Sequence, residues 1–570
     1  MKSRIRTQLE ISLFFLPLWM ACNQSVPTEQ ARVRAYQAEI APAIQSDLSV
    51  PQPLPILDTL SSQSMPMNPD PSIVETVPTT TTTIESEIPP SVEHLLTDAV
   101  DDLSQSPVIS TPAPVILTPP EFVSWTPNSG RVGILPSILI IFNKPIQLQP
   151  GQSALTASGC TTGPTISASL NSDATQLTGT LSGSGCKPGD TYTVTLNSTA
   201  ISDASGNTLT NPPGAYAYTI RSFISVGSMS DKRQYHTATR LSDGRVLVAG
   251  GFGPTRGSST AYTVFNTAEI YDPTKKTFSQ TTGLMQTGRA WHTAILLPNG
   301  KVWITGGSGL DSAISTTEFY DPSTNKFTAA GPKANFTGGG HTLTLLPSGL
   351  VLVAGGNSNS AQLYDYKSNT FTKNAAMTAA HPRQGHMATL LQDGTVLMTG
   401  GAWPNPETHM SGGTFDSAEL YHPDTNTFTA ITSHMATPRF SHSAQLLPDG
   451  TVLITGTGSS KYLETAELYD PKTQLFTTIT PMPSAAEGAT SAVLFDGTVI
   501  LMGGYGGGAN ATPKIYDPIA KNFFYSISSM ETSTYRISHT STLLLDGSML
   551  NVGGATSFTD SYSNTADLYQ

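Results

Sequence analysis

The stretch HTATRLSDGRVLVAGG, from His236 to Gly251, decides the fold. Alternating small and apolar residues lead to an Asp-Gly pair, then a second apolar run, then two glycines. Asp-Gly between such runs marks a tight hairpin, because its central positions need positive φ. The phrase returns six times. The turn glycine recurs as Gly244, Gly300, Gly349, Gly394, Gly450, Gly497 and Gly547. Six residues later stand Gly250, Gly306, Gly355, Gly400, Gly456, Gly503 and Gly553, each followed by a second glycine except in the fifth copy, which has Thr457. Eight residues before the turn stand His236, His292, His341, His386, His442 and His539, with Ala489 in the sixth copy. Downstream come Tyr271, Tyr320, Tyr364, Tyr421, Tyr469, Tyr516 and Tyr569, and seven residues after the first six of these a Phe.

The histidine positions lie 45 to 56 residues apart, with four strand-sized pieces in each interval. That period predicts a β-propeller with one four-stranded blade per repeat, HTATRL being nearest the axis. The Phe is expected to pack outward between blades. The ends set the count. The last copy stops at NTADLYQ (564–570) without a fourth strand, and RSFISVGSM (221–229) reads like the missing one. Phe223 should therefore sit beside Tyr569 and close a seven-bladed ring, leaving no sheet edge open. GRAWHTAILLPNGKVWITGG (288–307) with TTEFYDPSTNKF (316–327) resembles kelch repeats, in particular the galactose-oxidase-like propellers. The resemblance implies a propeller over 223–570; it leaves function open, since such rings serve as scaffolds and as enzymes.

The rest of the chain is different in kind. MKSRIR followed by ISLFFLPLWMA (11–21) reads as an export signal, too short to span a bilayer. LWMAC resembles a bacterial lipoprotein cleavage site, which implies lipid on Cys22; Trp19 and Met20 depart from that pattern, and plain secretion or a retained anchor are the alternatives. Residues 23–116, with VPTTTTTIESEIPP at their centre, read as a disordered stalk that buries too little apolar surface to offset its ordering entropy, with one short helix expected at 91–105. Between 117 and 222, short alternating runs at 137–148, 159–170, 175–183 and 190–201 predict a β-sandwich. TPNSGRVGILPSILIIFNKPI (126–146) with ISDASGNTL (201–209) resembles the bacterial Ig-like domains of surface-layer type, which implies a spacer or adhesion module. Three cysteines are present; if Cys22 carries lipid, Cys160 and Cys186 are left to pair as a disulfide in an exported chain, the alternative being two buried thiols. The whole is all-β, with 49 glycines, 42 prolines and few charges.

Several functions are disfavoured. A net charge of −12 argues against a general nucleic-acid binder. The galactose-oxidase resemblance would imply a copper site built with a Tyr–Cys cross-link, but there is no cysteine between 223 and 570. The six histidines cannot share one metal, because metal–nitrogen bonds of about 2.0–2.1 Å cannot be met from symmetry-related positions around a wide ring; each is expected to bond backbone in its own blade. P-loop, G-x-S-x-G, H-E-x-x-H and EF-hand motifs are absent. No cofactor, metal or catalytic residue is assigned.

Arg233, Arg289, Arg383, Arg439 and Arg536 recur three residues before the histidine position, in the loop from the fourth strand to the next first strand. Planar guanidinium forks around a channel mouth would suit a carboxylate or acidic sugar. The competing reading ties each one to the recurrent acids Glu269, Glu318, Glu419 and Glu467. The second-to-third-strand loops share that face and vary most in length, which marks it as the binding face. Its candidate ligand contacts are the five arginines with Tyr235, Phe252, Arg256, Tyr262, Trp291, Phe336, Trp403, His409 and Phe440. Aromatic rings with scattered polar groups suit sugar or protein recognition. The expectation is a cell-surface or secreted binding protein for a glycan or protein, touching a membrane only through lipid at Cys22; a carbohydrate-active enzyme (lyase, epimerase or hydrolase) using the channel mouth, and a purely structural surface-layer part, are the alternatives.

Overall fold

The computed structural model describes residues 118–570 except 128–129, 162, 184, 259–260, 332–337, 380, 405–410, 458–462, 506–511, 531–535 and 557–561. The export signal, Cys22, the stalk and the helix expected at 91–105 lie outside the described residues. No described helix is long and apolar enough to cross a membrane. The described chain is all-β, its one short helical turn being Ser198–Ala200.

Residues 122–220 form two four-stranded sheets. One runs in the order Phe122–Thr126, Ile138–Phe142, Gln176–Ser182, Thr165–Leu170; the other Gly130–Val132, Tyr216–Ile220, Thr191–Leu196, Leu155–Gly159. Alternation places Ile138, Ile140, Phe142, Tyr192, Val194, Tyr218 and Ile220 in one shared core with Trp125. The Trp125 indole donates to the Tyr218 hydroxyl at 2.7 Å, which donates to the Pro127 carbonyl at 2.6 Å. The run at 159–170 is not one strand: Gly159 ends one and Thr165 starts another, and the bend at Cys160 (φ 56°) brings it to Cys186, with which it forms a disulfide at a Cα–Cα distance of 4.8 Å.

From residue 223 onward the chain forms seven four-stranded antiparallel sheets. The first comprises Thr237–Arg240, Val246–Ala249, Ala268–Asp272 and Thr277–Gln280, in that spatial order. The next five repeat it, starting with Thr293–Leu296, His341–Leu345, Met387–Leu390, Ser443–Leu446 and Thr490–Val493. The seventh has Thr540–Leu543, Met549–Val552 and Ala566–Tyr569, and its fourth strand is Phe223–Val226, in the register Phe223↔Tyr569 and Val226↔Ala566. The first strands of successive sheets lie side by side, and the seventh lies beside the first. The recurrent Phe packs between adjacent sheets, Phe278 against a cluster of the first and seventh sheets and Phe327 against one of the first and second. It also faces the Tyr of its own sheet, as in Tyr271–Phe278 and Tyr320–Phe327, both with ring centroids 5.0 Å apart; in the seventh sheet Phe223 takes that place, 4.8 Å from Tyr569. The pairing is a cross-strand contact within a sheet, because Tyr and Phe stand opposite each other in the ladder.

Candidate functional site

The histidine series proves to be a circuit of hydrogen bonds between sheets. His292 Nε2 is 2.9 Å from the Thr237 hydroxyl of the preceding sheet. The same link joins Thr293 to His341 (2.6 Å), Thr342 to His386 (2.9 Å) and Thr490 to His539 (3.0 Å). Thr540 of the seventh sheet reaches His236 of the first at 3.0 Å, across 304 residues of sequence. In the fourth sheet Met387 stands where the hydroxyl should be, and Thr399, its cross-strand partner, reaches His442 at 2.8 Å. Where Ala489 replaces the histidine, Ser443 and Ser491 join the fifth and sixth sheets through their hydroxyls. The expected backbone bond is seen at the other ring nitrogen, His386 Nδ1 lying 3.2 Å from Arg383 O, while the partner of Nε2 is a neighbour's hydroxyl. Burial, reinforced by the Arg233 charge, pulls His236 down to about 3, and burial does the same for His341 and His386. These rings are neutral packing elements. No group of three or more His, Cys, Asp or Glu side chains that could hold a metal occurs among the described residues.

The glycine pairs fit this circuit. The first glycine of each pair has positive φ, and a Cβ on Gly553 would lie 2.6 Å from the Arg233 carbonyl oxygen and 2.8 Å from His236 Cε1. Gly456 is the exception: its successor sheet has Ala489 instead of histidine, and the nearest atom, the Ala486 carbonyl oxygen, is 3.6 Å away. The second glycine donates its N–H to the next sheet's loop, as Gly251 does to Arg289 O at 2.8 Å and Gly554 to Arg233 O at 2.9 Å.

The five recurrent arginines do not frame a mouth. All are buried. Arg289 donates to Gly306 O at 2.8 Å, Thr316 O at 2.9 Å and Glu318 Oε1 at 2.7 Å; Arg383 meets Gly400 O at 2.7 Å and Glu419 at 2.9 Å. Arg233 and Arg439 repeat the pattern with Glu269 and Glu467, and Arg536 uses Asp567 at 3.1 Å. Each arginine fastens the incoming loop to the second and third strands of its sheet, and its burial keeps the guanidinium out of reach of an anionic ligand. The two sheets without the arginine lack the acid too: Gly338 goes with Gln362, and Ala486 with Lys514, whose amine burial pulls down to about 8.

The remaining candidates lie on the loop side. Phe252–Pro254 and Tyr262–Val264 form a two-stranded ribbon, as do Ala402–Pro404 and Ser411–Thr414. Half-buried Phe252 and Tyr262 stack at 5.8 Å and gather Tyr562, 5.6 Å from Tyr262. Trp403 stacks on His381 at 5.1 Å and meets Phe415 at 4.7 Å. Exposed Arg256 is held by Asp231 at 3.1 Å. Phe440 is buried; Phe336 and His409 lie outside the described residues.

One position was missed as a set. The residue just before the histidine position has positive φ in every sheet: Tyr235, Trp291, Gly340, Gly385, Ser441, Gly488 and Ser538. Glycine fills it three times and serine twice, which was a readable signal. Tyr235 and Trp291 hold it at φ 56° and stack at 4.5 Å; a bulky side chain there is strained by roughly 1–2 kcal/mol. Backbone bonds carry this rim between sheets, Trp291 N to Tyr235 O at 3.0 Å and Ser441 N to Gly385 O at 2.7 Å. The buried Ser441 hydroxyl has no hydrogen-bond partner among the described residues. The rim is thus aromatic at the first two sheets and small elsewhere.

Comparison with known proteins adds three findings. Residues 117–220 match the family model of the bacterial Ig-like domain. No curated protein matches the chain. Among solved structures, the chain is similar to a fungal alcohol oxidase described as having catalytic diversity among the AA5 family, in complex with copper, at 15% identity and a TM-score of 0.46, over 61% of this chain and 75% of that one.

Proposed function

We propose that this is an exported bacterial surface protein. Its seven sheets are the blades of a closed kelch-type propeller, and its loop face recognises a glycan, with a protein epitope as the second reading. The observation that carries the proposal is the pair Tyr235 and Trp291. Half-buried Trp291, stacked on buried Tyr235, occupies at a conformational cost a rim position that five other sheets give to glycine or serine. Strain of this kind persists where a function requires it. An indole face beside a rim of small residues suits the apolar face of a sugar ring, and the two aromatic ribbons extend that surface. The recurrent arginines and Arg256 on this side are taken up in ion pairs, so these cations serve the scaffold and leave the aromatic rings as the recognition surface. The export signal and the Ig-like module support a place at the cell surface, with lipid on Cys22 as anchor. The chain has no cysteine between 223 and 570, so no copper-radical cofactor of the cross-linked type is proposed.

The test is a glycan array probed with the full chain and with Trp291→Gly, which suits the backbone at that position. Binding to a defined group of glycans by the parent, reduced at least about tenfold in the folded variant, supports the reading. Equal binding by both removes Trp291 from the site. No glycan bound by either leaves the protein-epitope reading in its place.

A further inference from the structure

In the second, third and fourth sheets the Tyr hydroxyl ends in the turn that joins the third strand to the fourth. Tyr320 donates to Asn325 at 2.9 Å, Tyr364 to Asn369 at 2.6 Å and Tyr421 to Asn426 at 2.9 Å. The seventh sheet has no such turn, because its fourth strand is Phe223–Val226, paired with Ala566–Tyr569 from the far side of the sequence. Something else fills the gap. The Tyr569 hydroxyl is 2.9 Å from the Ser526 hydroxyl, which donates to the Gly133 carbonyl of the Ig-like module at 3.3 Å. Ile527 N donates to the same carbonyl at 3.2 Å. Ile134 is buried among Ile515 and Met502 of the sixth sheet and Met549 and Tyr569 of the seventh. Ser137 N donates to the buried Asp517 carboxylate at 2.8 Å, and Arg221 donates to Gly547 O at 2.8 Å. Gly133 has no room for a side chain: a Cβ would land on the Tyr569 hydroxyl and Ile515 Cδ1.

From this geometry we infer that residues 132–137 of the Ig-like module are a clasp that replaces the missing turn of the seventh sheet and holds the borrowed strand Phe223–Val226 in place. The module is therefore part of the seven-sheet body rather than a bead on the stalk. Only Arg221 and Ser222 separate its last strand, Tyr216–Ile220, from the borrowed strand, so a pull on the N-terminal side of the chain arrives at that strand. The clasp contacts share that load in parallel with the strand pairing.

Hydrogen exchange of the full chain tests this. Gly133→Leu unseats the clasp, Ser526→Ala removes only the hydroxyl relay, and Gly214→Leu, where a Cβ meets nothing within 4 Å, is the control. Gly133→Leu should accelerate exchange in Phe223–Val226 and Ala566–Tyr569 at least about tenfold, and Ser526→Ala a few-fold, with Val351–Gly355 of the third sheet and Ile138–Phe142 of the module unchanged. Should Gly133→Leu unfold the module, seen as lost protection in Ile138–Phe142, the Ser526→Ala result decides. Unchanged exchange at the borrowed strand, or acceleration spread evenly over all sheets, overturns the inference.

Discussion

Gly553→Ala should cost far more stability than the same change at Gly456, although both occupy equivalent places in their sheets. Both have positive φ, 64° and 84°, so alanine at either costs about 1–2 kcal/mol in backbone strain. Only Gly553 meets a second obstacle. Its added methyl would lie 2.6 Å from the Arg233 carbonyl oxygen and 2.8 Å from His236 Cε1, well inside van der Waals contact, and both atoms are pinned, the carbonyl by Gly554 N and the ring by Thr540. Overpacking of this kind costs roughly 1–3 kcal/mol more. The expected totals are about 2–5 kcal/mol for Gly553→Ala and about 1–2 kcal/mol for Gly456→Ala. Urea unfolding of the two purified full-length variants measures the difference. An equal loss, or a larger one for Gly456→Ala, would refute the claim that the first glycine is dictated by the next sheet's histidine.

Two further outcomes follow from the buried charges. Arg383→Ala leaves Glu419 buried without its cation and should cost about 3–5 kcal/mol, while adding Glu419→Gln should recover part of it, as the natural Gly338 and Gln362 combination suggests; denaturation of the single and double variants checks this. Stability should also fall in mild acid. The native values of about 3 for His236, His341 and His386 lie below the unfolded value near 6.5, so between those limits the unfolded chain takes up protons that the native chain refuses. Stability is intact above pH 6.5 and declines as pH drops, by up to about 1.4 kcal/mol per pH unit per histidine, and urea midpoints at pH 7.5 and 5.5 should show the fall; a flat profile would contradict the burial argument.

The architecture was legible because repetition exposes it. Asp-Gly turns, glycine pairs and the Tyr–Phe spacing recur at fixed offsets, and RSFISVGSM matches the fourth-strand pattern that Phe223–Val226 fulfils in the seventh sheet. The partners of the repeated polar residues were less legible. A sequence shows that arginine and glutamate recur together but not that they turn inward to each other. The hydroxyl beside each histidine was in plain view at Thr237, Thr293, Thr342 and Thr540, yet its partner lies in another sheet. The rim was obscured by its variety, since tyrosine and tryptophan disguise a position whose demand for positive φ only glycine and serine betray. The clasp was out of reach: nothing local to Gly133 indicates that it will meet Tyr569.

The circuit of histidines is tested most directly by imidazole NMR of the full chain, titrated from pH 7.5 to 5. Of eleven histidines, six lie buried in the circuit, and these should hold constant neutral signals throughout the titration. Thr540→Val should move the signals of His236, assigned through His236→Gln, and leave His386 untouched. If His236 titrates near its ordinary value, or does not respond to a change 304 residues away, the seventh sheet does not meet the first.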